Sequence, residues 1–354
     1  MHDAALVIPE DAPYCIGLAQ EMESLGLFFS VVFYEVRAVV ACVLHLATFS
    51  GVFMGYEWLA LAAASLWAVA ALISVKPARH LGAFAYSRWR MLLVSLMLGS
   101  ASLATGGWQT LTQSALPLLA LSGLIGIFVG DTALFACMNR LGPRRSGLLF
   151  SCHALFSALL GLWLFGEQLG GWRLVGAMLV FAGVMLAILF GRRGNAQQNE
   201  WEQVRGHLVI GIGLGLTAAF CQSLGAIIAK PVMMSGTVDA ISASGIRMGS
   251  ALLAHCTLRA LRVPLSLPHN PINRQVLGMI GINGFLAMAM GMTLILVALR
   301  QGDVGMVAIL SSTTPVILLP LLWWHSGQRP SLAAWAGALL ATLGTTLVLG
   351  ASGH

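Results

Sequence analysis

Residues 130–190 recur without a gap as residues 291–351, a constant shift of 161 positions. Gly130, Thr132, Leu149, Ser151, Trp163, Gly166, Gly176 and Gly183 meet identical partners at Gly291, Thr293, Leu310, Ser312, Trp324, Gly327, Gly337 and Gly344. Apolar segments share few residue types, so identity alone says little, but glycines kept in register across an ungapped match indicate duplication. Both copies lie in runs apolar enough to cross a bilayer, and a duplicated membrane unit points to the folds of secondary transporters.

Composition supports the membrane setting. Hydrophobic residues make up 58% of the chain and charged ones 9%, against about 25% charged in a soluble domain. That much apolar surface needs lipid around it. A helix crossing the hydrocarbon layer takes roughly 20 apolar residues, and segments 57–75, 82–104, 115–137, 146–166, 172–190, 207–229, 238–258, 276–299, 304–325 and 331–350 meet this need. The runs are continuous rather than alternating, which selects helices over a barrel. The expected fold is an all-α polytopic membrane protein, with ten transmembrane helices arranged as two inverted five-helix repeats.

The net charge of +6 does not imply nucleic acid, because the basic residues are spread over short connections. The six cysteines, at 15, 42, 137, 152, 221 and 256, form no CxxC pair and read as small core residues. No metal cluster, cofactor motif or nucleotide-binding loop is evident.

The chain divides into an N-terminal extension (1–56), a first repeat (57–190), a polar linker (191–206) and a second repeat (207–350). An odd number of spans per repeat turns the second upside down. Landmarks beyond the opening match agree with the duplication. Lys76-Pro77 and Lys230-Pro231 close the first and sixth spans, and Arg90-Met91 and Arg247-Met248 open the second and seventh.

Twelve Lys and Arg residues follow odd-numbered spans, whereas only Arg173, Lys230 and Arg300 follow even-numbered ones. This bias places the odd connections in the cytoplasm. Ten spans would then leave both termini outside. The extension lacks a basic leader, so a signal peptide is not expected. Its uncharged run 38–56 is open to three readings: an eleventh span, an interfacial helix, or a segment upstream of a true start at Met54.

The segments LFGEQLGGWRLVGAMLVFAG (164–183) and SSTTPVILLPLLWWHSGQRPSLAAWAGALLATLG (311–344), with an arginine early in each second helix, carry a family likeness. Across 57–350 the chain resembles the EamA-type transporters of the drug/metabolite transporter superfamily. The resemblance implies a carrier of amino acids, other metabolites or drugs, working around a central cavity formed mainly by the first four helices of each repeat. The chain departs from the family pattern where Ala154 replaces the proline matched by Pro315, and where Gln328 stands opposite Glu167.

Several polar residues within the spans are candidates for substrate binding or coupling. Arg90 and Arg247 are either cations that attract an anionic substrate group, or interfacial side chains that snorkel and form a structural ion pair. Asp131, opposite Met292 in the repeat, is either a proton-coupling carboxylate or the partner of an arginine. His153 and His255 are titratable candidates whose alternative is a satisfied core residue. Asn283 and Gln222 offer substrate hydrogen bonds or join helices. Gly126/Gly130 and Gly211/Gly215 form small-residue faces, and Gly176/Gly183 and Gly337/Gly344 form seams between the halves or between copies in a homodimer. Met288, Met290 and Met292 line an adaptable pocket or fill the core.

An enzyme is not expected. Phe128-Val129-Gly130-Asp131 lacks the first glycine of a membrane aspartyl protease site, Ser242-Ala243-Ser244-Gly245 is not a GxSG serine site, and no HExxH occurs. The expectation is therefore a secondary-active transporter in the cell (inner or plasma) membrane. Its partners would be a small-molecule substrate, the bilayer and a proton as coupling ion. A passive channel and a lipid-flipping protein are the alternatives.

Overall fold

The computed structural model describes residues 55–167, 170–189, 206–314, 316–318, 320–321 and 331–350. Residues 1–54 of the N-terminal extension, residues 191–205 of the linker and Gln328 lie outside the described residues. The described residues form helices and no strands. In chain order these are α1 (Tyr56–Leu81), α2 (Ala83–Thr105), α3 (Ala115–Gly142), α4 (Arg145–Phe165), α5 (Gly171–Leu189), α6 (Leu208–Met234), α7 (Ala240–Ala260), α8 (Arg274–Ala298), α9 (Val304–Ser311) and α10 (Leu332–Gly350). Two tight connections depend on glycine. Gly82 between α1 and α2 has φ +83°, and Gly142 between α3 and α4 has φ +81°, a region glycine enters at little cost.

By length and composition, α1, α3, α4, α6 and α8 can each cross a membrane, and Leu174–Leu186, Val304–Leu318 and Leu332–Gly344 are shorter apolar helices. The remaining two, α2 and α7, carry the arginines of the site described below.

Lys76-Pro77 and Lys230-Pro231 do not end their helices, contrary to the reading of the sequence. Both prolines lie inside helices, which continue to Leu81 and Met234. Proline removes one backbone hydrogen bond and disturbs the preceding turn, yet Ala78 and Leu81 after one, and Val232 and Met233 after the other, are buried. Packing of those side chains carries each helix onward. Lys230 accordingly leaves the tally of loop charges, because it is buried within α6.

The halves are interlocked. Helix α1 packs on α8 as α6 packs on α3, and α2 meets α7, α4 meets α9 and α5 meets α10. Exchanging the halves maps this set of contacts onto itself, as a pseudo-two-fold relation requires. The backbones of α5 and α10 approach closely. A Cβ on Gly183 would strike the backbone of Gly337 and Ala341, and one on Gly344 that of Gly176 and Val180. The seam glycines therefore join the two halves, one of the two roles open from the sequence.

Candidate functional site

Within each half, the third helix loosens at the same place. Residues Leu124–Val129 of α3 and Phe285–Met292 of α8 form π-turns, starting at positions 161 apart. A π-turn shifts the register of the helix and re-aims the side chains that follow. In α3 these are Asp131 and Thr132; in α8 the turn runs through Met292 to Thr293. The turn in α8 also offers a backbone acceptor, since Trp67 Nε1 of α1 donates to the Ala287 carbonyl at 2.8 Å.

Just before each π-turn, a glycine presses on the arginine of the other half. A Cβ on Gly284 would lie 3.4 Å from Arg90 Cγ, and one on Gly123 would collide with the Arg247 backbone. Removing the Cβ lets α3 and α8 approach these helices closely. Both arginines are thereby enclosed, Arg90 being 3% exposed and Arg247 1%. Interfacial snorkelling is thus excluded for both.

The two equivalent arginines have different surroundings. Arg90 forms an ion pair with Asp131, and its Nη1 donates to Asn283 Oδ1 at 3.4 Å. Its guanidinium stands 4.5 Å from the centre of the Phe135 ring and 5.5 Å from that of Tyr86, within cation–π range. The Tyr86 hydroxyl donates to the same Asn283 Oδ1 at 2.8 Å, while Asn283 Nδ2 donates to the Ala70 carbonyl at 2.8 Å. Asn283 thus ties α8 to α1 and α2, and its oxygen already accepts twice.

Arg247 makes no hydrogen bond or ion pair among the described residues, and its Nε, like that of Arg90, is buried without a partner. Its Nη2 lies 3.5 Å from where a Cβ on Gly126 would be, facing the close contact between Gly126 and Gly225. Electrostatic attraction still reaches it from Asp131.

The remaining candidates separate. His255 of α7 joins the edge of the cluster, its Nε2 lying 3.2 Å from Thr132 Oγ1 and its ring meeting Phe128 edge-on at 4.8 Å. His153 is buried beside Phe150 at the start of a helical turn, and its carbonyl accepts from Ser223. Gln222 is buried in α6. Among the described residues, no hydrogen bond or ion pair connects His153 or Gln222 to Arg90 or Asp131. Met288, Met290 and Met292 are buried. Tyr86 and Phe135 were not singled out in the sequence, although each stands four residues from a charged member, on the same helix face.

A second buried ion pair lies elsewhere between the halves. Glu167, in the connection from α4 to α5, pairs with Lys230 of α6. Its carboxylate also accepts from the backbone amides of Val304 at 2.9 Å and Gly305 at 3.2 Å, the first residues of α9. A carboxylate there caps unpaired amides and suits the positive end of the helix.

The model of the EamA-like transporter family matches the chain twice, over residues 54–189 and 209–350. Among solved structures, one titled "Crystal structure of protein" is similar in fold. It has a TM-score of 0.63 and 19% sequence identity, and the match covers 82% of this chain and 95% of that one. No curated protein shows a significant match.

Proposed function

Because the chain belongs to the EamA-like transporter family, matched over both of its halves, we propose that this multi-pass membrane protein is a secondary-active carrier of a small metabolite. It crosses the cell membrane ten times, and its inverted halves rock around the buried polar cluster to expose it to one side at a time. Export or exchange, driven by a proton gradient or by a counter-substrate, supplies the energy. The observation that carries this reading is that each repeat contributes a buried arginine, Arg90 and Arg247, and that Asp131 lies in the electrostatic field of both. Buried ionisable groups in a membrane are costly and are retained where they serve transport.

Asp131 is the natural point of proton coupling. It faces Arg90 directly and lies in the field of Arg247, with Tyr86 close by. Protonation would release Arg90, and deprotonation would re-form the pair. The Asp131→Asn variant should therefore transport with a flat pH profile; an unchanged profile would make Asp131 structural.

The carrier reading is tested with purified protein in proteoliposomes loaded with a metabolite mixture. Saturable counterflow of labelled amino acids or organic acids supports it. Linear, non-competing flux indicates a channel, and lipid movement without solute exchange indicates a flippase.

A further inference from the structure

The asymmetry between the arginines has a chemical consequence. The repeat gives each member of the Arg90 surroundings an equivalent around Arg247: Asp131 becomes Met292, Asn283 becomes Ser122, Tyr86 becomes Ala243 and Phe135 becomes Leu296. Met292 cannot accept a strong hydrogen bond, and the Ser122 hydroxyl donates to the Gly225 carbonyl at 2.6 Å. Arg247 thus keeps its fork of N–H donors while losing the carboxylate and amide that serve its twin. Two guanidinium groups share one carboxylate, so these three side chains retain one positive charge.

Resting on the carrier reading above, we infer that Arg247 binds an oxyanion group of the transported substrate, a carboxylate or a phosphate. A planar guanidinium matches either group with two parallel hydrogen bonds. The site uses Arg247 as the anchor and Gly126 and Gly225 as the side-chain-free wall beside it, with the buried Met292 standing at the repeat position that Asp131 holds in the first half. The anion takes up at Arg247 the role that Asp131 plays at Arg90.

The test measures the unfolding midpoint of purified protein titrated with succinate, inorganic phosphate or neutral succinamide. Saturable stabilisation by succinate or phosphate, and none by succinamide, is expected; which anion binds more tightly distinguishes carboxylate from phosphate substrates. Arg247→Gln should weaken that binding by about tenfold or more, as expected for loss of hydrogen bonds to a charged group. Met292→Asp retains the arginine and places a carboxylate beside it, as Asp131 stands beside Arg90, and should weaken binding similarly. Stabilisation by neither anion, or equal anion affinity in both variants, overturns the assignment. This readout does not depend on transport: counterflow without anion binding removes only the anion assignment, whereas absence of counterflow removes the carrier reading.

The second ion pair carries a separate inference. Under the repeat, Glu167, Lys230, Val304 and Gly305 correspond to Gln328, Lys76, Pro143 and Arg144. Glutamine has no charge, proline has no amide hydrogen, and Lys76 is exposed. The ionic contact from Glu167 to α6 and α9 can therefore form only at the end of the molecule bearing the even-numbered connections. The geometry points to a latch that holds that end shut in the resting carrier.

A Met292→Cys probe, in a background without other reactive cysteines, reports access when an impermeant thiol reagent is added to that face of sealed proteoliposomes. Glu167→Gln, and the charge-free pair Glu167→Gln with Lys230→Met, should each raise the labelling rate by about tenfold, as expected for a lost charge-assisted contact. An unchanged rate in both variants overturns the latch.

Discussion

Arg90 and Arg247 occupy equivalent positions, yet only Arg90 is matched by acceptors. Removing Arg90 would leave Asp131 buried without its direct partner. Breaking one side of a buried pair costs about 3–5 kcal/mol, so Arg90→Gln should lower the unfolding midpoint sharply. Arg90→Gln combined with Asp131→Asn should recover much of the loss. Equal midpoints for the single and double variants would show that the pair contributes little. The arginines and Asp131 were legible in the sequence because a charge inside an apolar run is conspicuous. Their pairing was not, since Arg90 lies equally early in its helix whether it turns to the interface or inward. Only the enclosure by Gly284 decides. Tyr86 and Phe135 were obscured for the opposite reason: an aromatic residue in an apolar helix attracts no notice until its charged neighbour four residues away is placed.

Between helices, the readable signal was glycine. The seam of Gly176, Gly183, Gly337 and Gly344 followed from spacing of seven, and its backbone contacts join α5 to α10. Gly183→Leu should force these helices apart and destabilise the protein by at least about 1–3 kcal/mol, the usual range for overpacking; an unchanged midpoint would mean that the seam is loose. Two features were not legible. The π-turns in α3 and α8 arise from a shifted hydrogen-bond register that residue type hardly encodes. The continuation of α1 and α6 past Pro77 and Pro231 depends on burial of the residues that follow, a tertiary effect that outweighs the local preference of proline. Lys230 was taken for a loop charge for the same reason. Its partner Glu167 was visible only as a break in symmetry with Gln328.

For the whole molecule, duplication was the strongest signal and also the most instructive. It anticipated an all-helical chain built of two repeats and the likeness to a transporter family, which the family model matches once in each half. It did not reveal how the halves interlock, with α1 on α8 and α6 on α3, since contacts across a pseudo-two-fold leave no mark in the spacing of either copy. What the copies share builds the frame, and the proposed coupling and latch both lie where they differ, at Asp131 against Met292 and Glu167 against Gln328. Alternating access requires the Arg247 region to open to each side in turn. The most direct measurement is therefore labelling of the Met292→Cys probe by an impermeant thiol reagent added separately to each face of sealed proteoliposomes, with and without a transported substrate. The account predicts slow labelling from both faces and a change in their ratio when substrate is supplied. Fast labelling from both faces that substrate does not alter, as in an open pore, or labelling from neither, would contradict it.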